Sequence, residues 1–133
     1  MNVIRKVALA IFKDKKMLLA RSAKHETAFF APGGKIEAGE TEQEALIREI
    51  QEELSSRIDM ATLEFLVEVE GPAHGKTDSV VNIRLYSGNL LDKPRPSGEV
   101  AELEYFNTTI DEKHHTASGK LIFTALKKKG LID

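Results

Sequence analysis

The stretch that most constrains this chain runs from Thr41 to Leu54, TEQEALIREIQEEL. Thr41 followed by Glu44 has the form of a capping box, with threonine as N-cap and glutamate at the third helical position. Ala45, Leu46, Ile50 and Leu54 then recur at helical spacing and make an apolar stripe that must be buried against another layer. Glu49, Glu52 and Glu53 flank the stripe. Successive helical residues advance by about 100°, so the three carboxylates fall within roughly a third of the circumference. At that spacing like charges repel, and the C-terminal end of a helix disfavours anions. A carboxylate cluster that repels itself when empty is relieved by a hard divalent cation, which takes oxygen ligands. The helix alone leaves a second reading open, a solvated glutamate-rich surface with Arg48 as an ordinary surface partner.

The remaining elements suggest what that stripe packs on. VALAIF (7–12) and KMLLAR (16–21) are β candidates joined by a polar turn, a hairpin. AFFAPGGK (28–35) begins apolar and ends in a Pro-Gly-Gly loop. TLEFLVEV (62–69) and VVNIRLYSGNL (80–90) read as strands. In the second, Val81, Ile83 and Leu85 alternate with Asn82, Arg84 and Tyr86, which predicts one buried face. GPAHGKTDS (71–79) and KPRPSGE (93–99) are loops, VAELEYF (100–106) is a short strand, and ASGKLIFTALKKKG (117–130) is a last helix with lysines near its end. The order β-β-loop-α-β-β-β-α predicts an α/β sandwich, a mixed central sheet with helices on both faces.

Composition narrows the possibilities further. The 133 residues suit one compact domain, 1–133, and 41% apolar residues supply a core. A net charge of -2 argues against a surface built for nucleic acid or anionic membrane. With no cysteine, disulfides, thiolate zinc sites and cysteine nucleophiles are excluded. This agrees with a reducing, cytoplasmic setting. No segment reads as a signal peptide or a membrane span. His25, His74, His114 and His115 lack metal-ligand spacing and are expected in solvated loops.

From Gly34 the chain reads glycine, five residues, Glu40, seven residues, then Arg48-Glu49-Ile50-Gln51-Glu52-Glu53. This resembles the Nudix box, G-x5-E-x7-R-E-U-x-E-E-x-G-U, where U is bulky and apolar. The whole stretch GGKIEAGETEQEALIREIQEEL (33–54) is especially similar to the MutT-type members, down to GGKIE and GET. The match fails at its end, where Ser55 stands for the second glycine and Ser56 for the last apolar residue. No charged position is lost. The departure is expected to let the helix run on a little, with Ile58 taking the buried place.

The resemblance implies a Nudix α/β/α sandwich and hydrolysis of a nucleoside diphosphate linked to a further group, with Mg2+ as cofactor and Mn2+ able to substitute. It implies a metal core of Glu49, Glu52 and Glu53 beside the Gly33–Gly34 backbone, with Gly34 approaching the metal. Glu49 is the first candidate for general base, though which glutamate serves stays open. Arg48 would orient Glu49, Glu40 would support the loop–helix junction, and Lys35 would stabilise the leaving phosphate. A further acid from beyond the box is implied, for which Glu99 and Glu102 compete. Phe29, Phe30 and Tyr105 are candidates for stacking on a base. Gly119 aligns where the best-known MutT-type form carries a base-reading asparagine. The partner implied is a small nucleotide, with no nucleic acid or membrane required and the chain a monomer or homodimer. A short chain favours a nucleoside triphosphate, cleaved to monophosphate and pyrophosphate. The alternative is a Nudix-fold binding or sensor module without turnover.

Overall fold

The computed structural model describes residues 2–24 and 27–133; His25 lies outside the described residues. Strand β1 (Asn2–Ala10) is buried on both sides over its second half, with Val7, Leu9 and Ala10 fully covered. Side chains alternate across a strand, so its two faces feed two different cores. Val7, Leu9 and Ile11 pack on the stripe Ala45, Leu46, Ile50 and Leu54 of helix α1, which runs Glu42–Leu54. Ala8 and Ala10 join Ile122, Phe123 and Leu126 of the last helix. The chain is thus a sheet covered on both faces, the predicted sandwich. Each large apolar side chain taken fully out of water contributes about 1.5–3 kcal/mol.

β1 continues through Ile11 into β2 (Phe12–Lys13), and a turn at Asp14-Lys15 leads into β3 (Lys16–Ser22). Both turn residues have positive φ, 52° and 62°. A two-residue hairpin requires that of a type I′ turn to match strand twist. β4 (Phe29–Phe30) and β5 (Gly33–Lys35) follow, then α1, β6 (Ile58–Pro72), β7 (Ser79–Leu90), β8 (Val100–Phe106), a short 3-10 turn (Glu112–His114) and α2 (Ala117–Lys128). The first sheet is mixed, in the order β5-β1-β7-β6, with β1 parallel to β7 and the other pairs antiparallel. A second, antiparallel sheet centres on β3, which pairs β2 and β4 with its two halves and β8 along its length. One mixed sheet was predicted; the additional sheet arises because β2, after the break at Ile11, pairs with β3 instead of extending the first sheet. Gly33–Lys35, predicted as loop, is the edge strand of the mixed sheet, in antiparallel register with Lys6, Val7 and Ala8.

The capping box forms as predicted, with Thr41 and Glu44 exchanging their hydrogen bonds. The C-terminal end of α1 differs from expectation. The helix does not run on: Ser55 adopts the left-handed conformation itself, with φ 51° and ψ 43°. That region is costly for a residue with a Cβ. The segment after β7 straps the end in place. Arg95 N donates to Leu54 O at 2.9 Å, Ser97 N donates to Glu53 O at 3.0 Å, and Arg95 Nη2 donates to Ser55 Oγ at 3.0 Å. Ser56 is buried where an apolar residue was expected, and its hydroxyl donates to Asp92 O at 2.8 Å, so its burial leaves no unmet polar group. Ile58 is buried in the α1 core as predicted.

Candidate active site

Two glycines let the loop before α1 approach the helix. A Cβ on Gly33 would lie 2.0 Å from Val7 O, and Gly33 has φ 148°, so only glycine pairs with β1 there. A Cβ on Gly34 would lie 2.5 Å from Glu49 Cδ. The Glu49 carboxyl group rests against the Gly34 backbone.

Arg48 organises the upstream acids. It donates to both Glu40 oxygens, at 2.7 and 2.9 Å, to Glu49 Oε1 at 2.8 Å and to the Lys35 carbonyl at 3.1 Å. Glu40 also accepts from Glu37 N at 2.9 Å, which closes the turn before the helix. The Arg48 guanidinium and that backbone donor hold the Glu40 carboxyl down at about 2. Glu49 moves the other way: burial raises it, and the Arg48 hydrogen bond opposes that only in part.

Glu53 is the least compensated acid. It accepts one hydrogen bond, from Gly33 N at 2.8 Å. Burial, with the Glu49 and Glu52 charges beside it, outweighs that donor and pushes its pKa up to about 8. Glu52 is mostly exposed, 3.7 Å from Arg48.

The strap that caps α1 delivers Glu99 to the same place. Glu49, Glu52 and Glu53 line one cleft with Ser97, Gly98 and Glu99. Glu99 meets Lys24 Nζ at 3.0 Å, so a cation already sits on it. Glu102, its rival, is taken up by Arg21 at 2.9 Å across the β3–β8 pair and does not line the cleft. Among the described residues no three acidic or histidine side chains are drawn close enough to cage a metal ion. The donor set nevertheless fits a divalent cation that keeps waters and substrate oxygens: four carboxylates line one cleft, and burial raises two of them, Glu49 and Glu53.

A second cleft of 310 Å³ opens beside Glu53 and Glu99. Lys6, Ala8, Ser22, Phe30, Ile83, Thr116, Gly119 and Ile122 are among its walls. Phe30 and Gly119, two of the candidate base contacts, thus line this cleft. Phe29 is not: it is 3% exposed, edge-on to Phe106 at 4.9 Å and to His114 at 5.3 Å, a core residue closed to any ligand. Strand alternation puts adjacent Phe29 and Phe30 on opposite faces. Tyr105 packs against the α1 core and borders neither of these clefts. Lys35 is exposed on the edge strand, and its backbone carbonyl accepts from Arg48. A Cβ on Gly119 would lie 2.9 Å from Thr116 Oγ1, which accepts from Gly119 N as the α2 N-cap.

His114 and His115 depart from the solvated loops predicted. His114 Nδ1 bonds to Thr27 O at 2.8 Å. His115 packs edge-on to Phe123 at 4.9 Å, and its Nε2 is buried without a partner among the described residues. His74 is exposed. Lys6 is the cleft residue that sequence reasoning missed. The available signal was a lysine in phase with Ala8 and Ala10, on a face that is otherwise core.

A glycine-glycine edge strand feeding a helix whose arginine and glutamates line a cleft defines the class to which the comparisons point. The family model of the NUDIX domain matches residues 3–122. The chain belongs to the Nudix family. It is 33% identical over 96 residues to a Caenorhabditis elegans protein whose name places it among the nudix hydrolases; the match takes in 71% of this chain and only a quarter, 25%, of that protein. The fold is similar to that of a MutT NUDIX hydrolase from Burkholderia pseudomallei, with TM-score 0.79 and 19% identity over 95% of this chain and 99% of that one. It is also similar to a UDP-X diphosphatase, with TM-score 0.73 and 21% identity over 97% of this chain and 65% of that one.

Proposed function

We propose that this chain is a divalent-cation-dependent pyrophosphohydrolase acting on a nucleoside diphosphate derivative, most simply a (deoxy)nucleoside triphosphate cleaved to monophosphate and pyrophosphate. The observation that carries the reading is the meeting of Glu49, Glu52, Glu53 and Glu99 at one cleft, with Glu53 raised to about 8. Family membership and the likeness to a UDP-X diphosphatase support a phosphoanhydride as the bond broken.

Glu49, Glu52, Glu53 and Glu99 would hold Mg2+, with Mn2+ as substitute, beside the Gly34 backbone. When bound, such a cation neutralises phosphate charge and acidifies water. Arg48 fixes the Glu49 carboxyl and Glu40 fixes Arg48, so Glu49 is the acid held in one orientation and the candidate to take the proton of the attacking water. The second cleft would take the nucleoside, with Phe30 at its wall. Among the described residues no helix is long and apolar enough to cross a membrane.

Incubation with a panel of nucleotides and Mg2+, with product identification, tests the reading. Monophosphate with pyrophosphate supports it; no turnover of any phosphoanhydride overturns it. Gly119 brings no side-chain donor or acceptor to the second cleft, so 8-oxo-dGTP is expected to exceed dGTP in kcat/KM by less than about tenfold. A preference of several hundredfold would mean that another wall residue reads the base.

A further inference from the structure

Along β1 the residues in phase with Ala8 and Ala10 face the α2 core, and Lys6 is the next in that phase. It is half-buried, and among the described residues it is the one cation lining the 310 Å³ cleft beside Glu53. Lys6 also stands directly opposite Lys35 in the antiparallel β1–β5 pair. Like charges opposed across strands destabilise a sheet. Burial, Lys35 and then Lys76 all disfavour the Lys6 ammonium, while Glu53 and Glu49 favour it. If Lys6 served only to neutralise Glu53, a direct ion pair would be the economical arrangement. Among the described residues its side chain makes no hydrogen bond or ion pair. A half-buried ammonium crowded by like charge and open to a cleft is unfavourable in the free protein, and an anionic ligand relieves that cost.

We propose that Lys6 is a substrate-binding residue whose ammonium donates to nonbridging phosphate oxygens of the nucleotide, next to the carboxylates that hold the cation. This rests on the pyrophosphohydrolase reading and moves the phosphate-binding role from exposed Lys35 to Lys6. The carboxylates and the lysine then divide the work at one end of the cleft, acids taking the cation and Lys6 taking the anion.

The test is calorimetric binding of a non-hydrolysable α,β-methylene nucleoside triphosphate in Mg2+ to wild type, Lys6→Met, Lys6→Arg and Lys35→Met, with the matching uncharged nucleoside as second ligand. Lys6→Met is expected to weaken analogue binding by about tenfold or more while leaving nucleoside binding unchanged. Lys6→Arg should recover most of the loss, and Lys35→Met should lose less than Lys6→Met. The proposal is overturned if Lys6→Met binds the analogue as wild type does, if analogue and nucleoside weaken equally, or if Lys35→Met loses as much. Wild type that hydrolyses nucleotides yet shows any of these results overturns the Lys6 assignment alone. Wild type that neither binds the analogue nor hydrolyses any nucleotide overturns the functional reading with it.

Discussion

Arg48 and Arg84 each donate to two glutamates, yet their surroundings end in different electrostatic states. Arg84 reaches Glu42 at 2.7 Å and Glu68 at 2.6 Å, with its guanidinium 4.3 Å from the Phe65 ring centre. Glu42 also accepts from Tyr86 Oη at 2.6 Å, and buried Asn82 donates to Glu68 at 2.9 Å and to Glu70 at 3.3 Å. Burial alone would raise Glu42, but the Tyr86 and Arg84 donors prevail and lower it. Every acid in that cluster has found its donors. Around Arg48 the donors go to Glu40 and Glu49, and Glu53 is left with one backbone N–H and a pKa of about 8. Ion pairs are equally good markers of both places. The unfinished compensation distinguishes them, and it lies at the C-terminal end of α1, where the proposed cation would bind.

The largest expected effect comes from removing the uncompensated charge. Glu53→Gln should lower kcat/KM with Mg2+ by more than the roughly 10–100-fold typical of outer positions around a metal. Turnover equal to wild type at limiting Mg2+ would break the comparison. The same substitution should change how the metal-free protein responds to pH. Glu53 is raised in the folded state, so its contribution to stability is fully present below the ordinary glutamate value and is lost as pH rises through about 8. Chelated wild type should therefore lose stability between about pH 4.5 and 8 relative to Glu53→Gln, as read from urea midpoints. Parallel midpoints for the two proteins across that range would remove Glu53 as the source.

Next in size is the arginine exchange. Arg48→Met should cost about 10–100-fold in activity, because Glu49 loses its orientation. Arg84→Met should leave kcat/KM within about twofold and cost only about 1 kcal/mol, since its ion pairs are a third exposed. Equal losses of activity would erase the distinction between the clusters. A smaller effect sharpens it: Mg2+ or Mn2+ should raise Tm relative to chelator by mass action on the folded state. Glu52→Gln should shrink that rise and Glu68→Gln should not. Equal metal-induced rises in all three proteins would count against the carboxylate cleft.

Local signals carried much of this into the sequence. The capping box and the α1 stripe state their own geometry within a few residues, and Arg48, Glu49, Glu52, Glu53 and Glu40 follow because one helix and one turn hold them. The alternation of β7 predicts one buried face, but β7 lies between β1 and β6 and is covered on both faces, with Asn82 buried and Tyr86 packed on the α1 core. Less legible were contacts made between distant segments. Phe29 and Phe30 are adjacent in sequence, and only the pairing of β4 with β3 decides which ring enters the core. Tyr105 was misplaced for the same reason, since its face is set by β3 register. The end of α1 was misjudged because what stabilises Ser55 is Arg95, forty residues on. Lys6 was missed because its significance lies in Lys35, Glu53 and the cleft, none of which a run of β1 residues announces.

The strap after β7 has a consequence for how this chain tolerates insertion. Arg95 and Ser97 are tied to the last carbonyls of α1, and a Cβ on Gly98 would lie 3.0 Å from Glu52 O. The address of Glu99 is thus measured from the helix on one side and, through Ala23 N donating to Glu99 O at 2.8 Å, from the end of β3 on the other. Residues added at Lys93–Pro94, before the first tie, lengthen a surface loop at small entropic cost and leave the four acids in register. One residue added between Ser97 and Glu99 changes the distance between the last tie and the acid. The two sites are only a few positions apart, and a scan of single glycine insertions from 93 to 99 should show activity falling away between them as a step.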